Sequence, residues 1–335
     1  MKSIVVADNS RQSDFKPAGL LAEYIKMLQT DVESFLINDQ ALKDVACPAC
    51  ESTEYSGGFK KFAMSYHECA GCGTVYISPR PGDESIAAFY RAAPSRSFWV
   101  NKLYEATRIQ RREKIIKPRM EWVSDSIAEH RPRAKHWVHW HASQLRYAEG
   151  MAAATSVKQK TLLCPYFGTA GIPAGITVDP SPWWNSAMAP ADVITLFELL
   201  DQTSDVAGLL VRVRAGLIKG GLCFITAILS SGFDVRELGA QAGNIFPPDR
   251  LNAFSVKGLR ILLEKNGFDL LELSTPGILD VDIVQRALEA DPGFQVSPFV
   301  RDLVLRQPEE VKRAFQAFLQ ENLLSSYGRV LVRRN

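Results

Sequence analysis

Apolar residues recur along this chain in two rhythms, and the change between them falls near residue 135. Before that point the pattern is mainly helical. Pro17 opens a segment whose apolar positions, Leu20, Leu21, Tyr24, Ile25 and Leu28, share one helix face. A second polar and apolar segment covers 31–42. Residues 59–66 have the aromatic content of a hairpin strand, and 74–78 predict a strand that stops at Pro79 and Pro81. Asp83 is expected to cap a helix with Ile86, Phe89 and Tyr90 on one face. A long basic helix is expected over 102–122, ahead of a charged break at 129–135.

From Lys135 onward short strands alternate with helices. Strands are predicted at 136–141, 161–166, 175–178, 191–197, 222–229, 268–274 and 327–333. Helices are predicted at 144–154, after Ser204 or Asp205, after Ser255, and through much of 281–325. Gly220 and Gly221 should end the third-quarter helix, and Gly267 the one after Ser255. Such alternation predicts an α/β fold: a mostly parallel, doubly wound sheet with helices on both faces.

Charge changes this picture little. Lys and Arg total 39 against 37 Asp and Glu, a formal net charge of +2, so no global field draws the chain to nucleic acid or an anionic membrane. The apolar start, 1–7, is too short for a secretory segment, and 222–229 reads as a core strand rather than a membrane span. A soluble protein is expected, with a small molecule or another protein as its partner.

Cysteine adds the most specific signal. Cys47-Pro-Ala-Cys50 and Cys69-Ala-Gly-Cys72 are two C-x2-C knuckles. A gap of about 15–20 residues between such knuckles is the spacing of a tetrahedral zinc ribbon. Four soft thiolates close the ligand shell, so the zinc expected at Cys47, Cys50, Cys69 and Cys72 is structural. Cys164 and Cys223 lie in apolar runs and read as buried thiols. Reduced thiols with a metal site point to a cytoplasmic location.

The order of several blocks then resembles a family: class I S-adenosylmethionine-dependent methyltransferases with an N-terminal zinc ribbon. After the ribbon come Pro79-Arg80-Pro81, a helix ending Phe89-Tyr90, Ala191-Asp-Val-Ile-Thr-Leu-Phe-Glu198-Leu-Leu-Asp-Gln202, Pro247-Pro-Asp-Arg-Leu-Asn-Ala-Phe-Ser255 and Gly267-Phe268. The resemblance implies a Rossmann-like sheet of seven strands whose last strand, 327–333, is antiparallel. It also implies S-adenosylmethionine as cofactor and a sugar acceptor, either a nucleotide sugar or a surface polysaccharide. The implied organisation is a helical extension at 1–46, a zinc ribbon at 47–80, a helical linker or lid at 81–133 and a methyltransferase-like domain at 134–335.

Three departures accompany the likeness. The family's Asp-x-Gly-x-Gly turn corresponds here to Trp137-Val-His-Trp-His141-Ala-Ser-Gln-Leu, with no glycine before Gly150. The strand at 161–166 ends without the acid that holds the cofactor ribose; Asp179 either substitutes for it or is a turn residue. Gln202 and Arg250 stand where the family commonly has histidines, and neither accepts a proton at pH 7. Carried over by position, the cofactor is expected against His139, His141, Ser143, Asp179, Phe197 and Glu198. The alternative is a family member that binds no cofactor and serves as a partner or substrate-binding module.

Three further patterns are open to two readings each. His139 and His141 share a strand face and suit either a metal or packing. Arg108, Arg111, Arg112, Lys114, Lys117 and Arg119 make a basic helix face, either solvated or meeting a diphosphate. Trp183 and Trp184 either stack on a ligand ring or pack internally.

Overall fold

The computed structural model describes residues 4–6, 8, 10–38, 41–140, 147–154, 156–164, 171–187 and 189–335. Three N-terminal strands, β1 (Tyr55–Lys61), β2 (Met64–Cys69) and β3 (Val75–Ile77), form the ribbon. Then follow β4 (His136–Trp140), β5 (Gln159–Leu163), β6 (Ile176–Asp179), β7 (Ala191–Phe197), β8 (Leu217–Ile228), β9 (Asn252–Ala253), β10 (Phe268–Ser274) and β11 (Tyr327–Arg334). Seven of them make one sheet in the order β10-β11-β8-β7-β4-β5-β6. β4 to β8 are parallel neighbours, and β11 runs antiparallel to both β8 and β10. The expected seven-stranded α/β sheet with an antiparallel last strand is therefore present.

The sheet is covered on both faces, which is why its central strands are apolar along their whole length. All seven residues of β7 are buried. Val138, Ile194, Leu196 and Ile225 pack against the Val206–Gly216 and Val256–Lys265 helices. Trp137, Val193, Phe224 and Leu331 face the Lys117–His130 and Ala148–Ala153 helices. Asp205 and Ser255 do cap the first two of these, accepting from Gly208 and Gly258 N–H at 2.8 Å each. A third cluster joins the N-terminal Ala18–Val32 helix to the C-terminal Asp280–Ala290, Pro298–Arg306 and Glu309–Glu321 helices, a cap over the carboxyl ends of β7 and β8. Among the described residues no helix is long and apolar enough to cross a membrane.

Local differences from the sequence reading have local causes. The aromatic run 59–66 is not one strand but a hairpin turn, with Phe62 and Ala63 both in the left-handed region (φ 49° and 59°). No glycine announces that turn. The basic helix breaks at Thr107, widens into π-helical turns at Trp99–Tyr104 and Arg112–Ile116, and continues past Trp122 to His130. Asp83 lies inside its helix behind Gly82, and its carboxylate instead accepts from Ser204 N–H (2.8 Å) and Asp205 N–H (3.1 Å). Gly220, at φ 73°, bends β8 rather than ending a helix, since that strand already begins at Leu217.

The ribbon is continuous with the rest of the fold. β3 pairs with β9, which follows β8 by a long connection, so the small sheet has the order β1-β2-β3-β9. Arg80 fastens this junction while only 1 % exposed. It donates to Ile77 O (2.9 Å), Asn252 Oδ1 (2.9 Å) and Ser204 O (3.2 Å). Asn252 in turn donates to Leu200 O and Thr203 O at 2.9 Å.

The cysteine knuckles also sit against the Val256–Lys265 helix, and Gly258 marks the contact. A Cβ there would lie 2.2 Å from the Thr74 hydroxyl, which is wholly buried. Gly258→Ala should therefore destabilise the protein by about 1–3 kcal/mol, the usual cost of overpacking, read from urea denaturation. An unchanged midpoint would mean that the ribbon does not pack on this helix.

Candidate functional site

Two constellations stand out. The first is the cysteine cluster, formed because each C-x2-C knuckle folds on a tight turn, with Gly73 at φ 76° after the second. The Cys47 and Cys72 sulfurs lie 3.5 Å apart and those of Cys50 and Cys69 3.4 Å. All four lie within 4.8 Å of one another, and none forms a disulfide. Zinc–sulfur bonds of about 2.3 Å in a tetrahedron need sulfurs roughly 3.8 Å apart, so the cluster fits a metal ion. Cys72 is held down to about 4, chiefly by its hydrogen bond with Cys47, whose own thiol is pushed up. Among the described residues this is the only group of three or more His, Cys, Asp or Glu so convergent.

The second constellation is a cavity of about 730 Å³ under the helical cap. Its floor is the carboxyl end of the sheet: Glu198 after β7, Ile228 of β8, and Tyr327 and Arg329 of β11. Glu198 is left-handed (φ 60°, ψ 13°), which turns its carboxylate out of the strand direction. That carboxylate bridges two guanidiniums, Arg119 Nη2 at 2.8 Å and Arg250 Nη2 at 3.0 Å. Behind them Asp201, fully buried, lies 3.3 Å from Arg250 Nε and accepts from Ile228 N–H at 2.9 Å. Burial raises the Asp201 carboxyl to about 8 against the pull of Arg250. Lys16, on the cavity wall, donates to Asn244 Oδ1 at 2.8 Å, and burial with Arg111 and Arg250 nearby lowers it to about 8.

Of the described residues expected against a cofactor, His139, Phe197 and Glu198 lie together around Arg119, and Asp179 stands at the end of β6. Glu198 faces the cavity, while Phe197 is 1 % exposed and packs in the core. His139 is fully buried, its Nδ1 sharing a 2.7 Å hydrogen bond with the Thr195 hydroxyl, which also accepts from Trp137 Nε1 at 3.0 Å. Its ring lies against Tyr147 (4.9 Å) and Phe197 (5.4 Å). Arg119 lies over Phe197 and donates to the Tyr147 hydroxyl. Asp179 ends β6, not β5, and accepts from Ser181 N–H and the Ser186 hydroxyl at 2.8 Å each. Burial pushes its carboxyl up, and those bonds outweigh it to leave it below the ordinary value. His141 and Ser143 lie outside the described residues.

The other open patterns resolve locally. Trp183 and Trp184 pack edge to face at 5.5 Å, Trp183 within the core. The basic helix divides by period: Arg108, Arg112 and Lys117 are exposed, paired with Glu105 or Glu113, whereas Arg111 and Arg119 turn inward. Arg111, Ile115, Arg119 and Trp122 line the cavity at helical spacing. That spacing was the available signal for Arg119, which the charge run concealed. Arg250 was marked only as standing where the family commonly has a histidine, and Asp201 carried no signal of its own, because the interacting side chains come from distant connections.

Comparison with known families matches residues 89–273 to a family described as "Methyltransferase domain". Solved structures of similar fold include a 1,6-didemethyltoxoflavin N1-methyltransferase from Burkholderia thailandensis, at 12 % identity and TM-score 0.46, covering 84 % of this chain and 100 % of that one. A Galdieria sulphuraria protein described as a sarcosine dimethylglycine methyltransferase is 16 % identical with TM-score 0.43, covering 70 % and 88 %. No curated protein matches the chain.

Asp201 generates a pH signature. Its folded pKa is raised, so the stability it contributes is complete below the ordinary carboxyl value and is lost as pH rises through about 8. Relative to Asp201→Asn, the wild type should lose stability between about pH 4 and 8, read as denaturation midpoints across that range. A flat difference would mean that Asp201 stays ionised beside Arg250.

Proposed function

From the premise that this chain belongs to the methyltransferase-domain family, we propose that its cavity binds a small polar molecule of the sugar class, the acceptor of an S-adenosylmethionine-dependent methyl transfer. The cavity carries this reading. At about 730 Å³ it falls in the range of small-molecule sites. It opens at the carboxyl ends of the strands, where α/β sheets hold their ligands. A hydroxyl-rich ligand finds acceptors in Glu198, clamped by two arginines, and in Asp249, and donors in Arg111 and Lys16. Clamped groups lose little freedom on binding, which favours orientation over bulk affinity.

On the cofactor side, the described residues do not reproduce the family's seat. No carboxylate ends β5, whose last residues are Thr161, Leu162 and Leu163. Gly150 serves packing, since a Cβ there would lie 2.5 Å from Met120 Cγ. His139, Tyr147 and Phe197 pack ring against ring, with Arg119 over Phe197, near the carboxyl ends of β4 and β7. The connections 141–146 and 165–170 lie outside the described residues. The alternative, a family member that holds the small molecule without S-adenosylmethionine as a partner or substrate-binding module, rests on that packing alone, against a family match to a methyltransferase domain.

Calorimetric titration with S-adenosylmethionine and S-adenosylhomocysteine separates the two. Micromolar binding is expected for the methyltransferase, and silence at millimolar concentration selects the second reading.

We assign the metal of the cysteine cluster as structural zinc, because four thiolates leave no open position. Elemental analysis should find about one zinc per chain, and Cys69→Ser should unfold the ribbon before the sheet, since metal binding there is folding free energy. Metal-free protein with an intact ribbon would overturn the assignment.

A further inference from the structure

We propose that the cavity contains a subsite for an acidic group, a carboxylate or phosphate carried by the bound small molecule, formed by Arg329 and Tyr327 beside the Trp122 ring. It rests on the cavity being the ligand site and specifies what kind of ligand enters.

Three observations carry it. First, Arg329 lines the cavity, and among the described residues its guanidinium makes neither an ion pair nor a hydrogen bond, with Nε buried and unsatisfied. It is held only between two aromatic faces, 5.4 Å from the Trp122 ring centroid and 6.0 Å from that of Tyr327. Ring faces orient a guanidinium without occupying its donors. Second, the Tyr327 hydroxyl is also buried without a partner, and Arg119 lies 5.0 Å over the same ring. A buried donor left unpaired costs about 1–3 kcal/mol, so two of them side by side on a cavity wall call for an acceptor from outside the chain. Third, no carboxylate on the cavity floor is left over for Arg329: Arg119 and Arg250 share that of Glu198, and Asp201 behind them holds its proton to about pH 8. Asp280 is occupied by Gln316, Ser325 and Ser326. Glu121 and Asp125 also line the cavity, and neither is within ion-pair reach of Arg329.

An oxyanion would take the Arg329 donors and the Tyr327 hydroxyl together, as charge-assisted bonds do where a planar fork meets two oxygens. A neutral hydroxyl accepts from the same donors, but without an opposite charge each bond is weaker.

The test is calorimetric titration of the full chain with glucose, glucuronate and glucose 1-phosphate. The two acidic sugars should bind about 10- to 100-fold more tightly than glucose, as hydrogen bonds to a charged group imply. The better of the two distinguishes carboxylate from phosphate. Arg329→Gln should abolish that preference, Arg329→Lys should retain part of it, and Tyr327→Phe should reduce it while keeping the ring. If Arg329→Gln does not fold, the loss or survival of the preference in Tyr327→Phe decides. Equal binding of all three sugars, or a preference that survives these substitutions, overturns the subsite and leaves the cavity reading standing. Binding of none overturns the cavity reading and the subsite with it.

Discussion

The architecture depends on a buried guanidinium. Arg80 leaves the ribbon and ends against Asn252, which closes the small sheet, and against Ser204, which enters the Val206–Gly216 helix. Burial lowers Arg80 only to about 10, so it stays charged inside the protein. A charge without a carboxylate contact is tolerated there because carbonyl and amide oxygens are arranged around it. Removing Arg80 would leave Asn252 Oδ1, Ile77 O and Ser204 O without their common donor. The ribbon is thus not an appendage on a linker; it shares a core with the sheet, in which Cys47, Cys69 and Cys72 pack with Leu259 and Phe254.

The same joint explains where the cavity lies. Its walls come from the N-terminal helices, the helix ending at His130, the connection after β10 and the carboxyl ends of β7 and β8. No single segment encloses it. The parts become mutually fixed through ion pairs that cross between them, above all Arg119 and Arg250 on Glu198. Burying an ionic network costs desolvation that only close geometry offsets, and the left-handed turn at Glu198 supplies that geometry.

Much of the layered sheet was legible in the chain because buried parallel strands leave an unmistakable mark: β7 and β8 read as apolar runs between glycine and capping signals. The cysteine cluster was legible for a similar reason, since ligand spacing is a local property. The turn at Phe62 and Ala63 was not, because left-handed backbone without glycine has no sequence sign. Nor was the site. His139 looked like a cofactor neighbour by position along the strand, yet it points into the Tyr147 and Phe197 rings, a matter of strand face and of what the opposing helix brings. The arginines that shape the cavity were visible as charges and hidden as partners, because Arg119, Glu198 and Arg250 are far apart in sequence.

The two-residue strand β9 has a mechanical meaning. Arg250 stands immediately ahead of Leu251 and Asn252, and its carbonyl accepts from the Tyr66 hydroxyl of β2 at 2.8 Å. The ribbon therefore grips, through backbone, the very loop that delivers one of the two cations to Glu198. A displacement of the ribbon would reach Glu198 through one loop, a mechanical route only a few residues long.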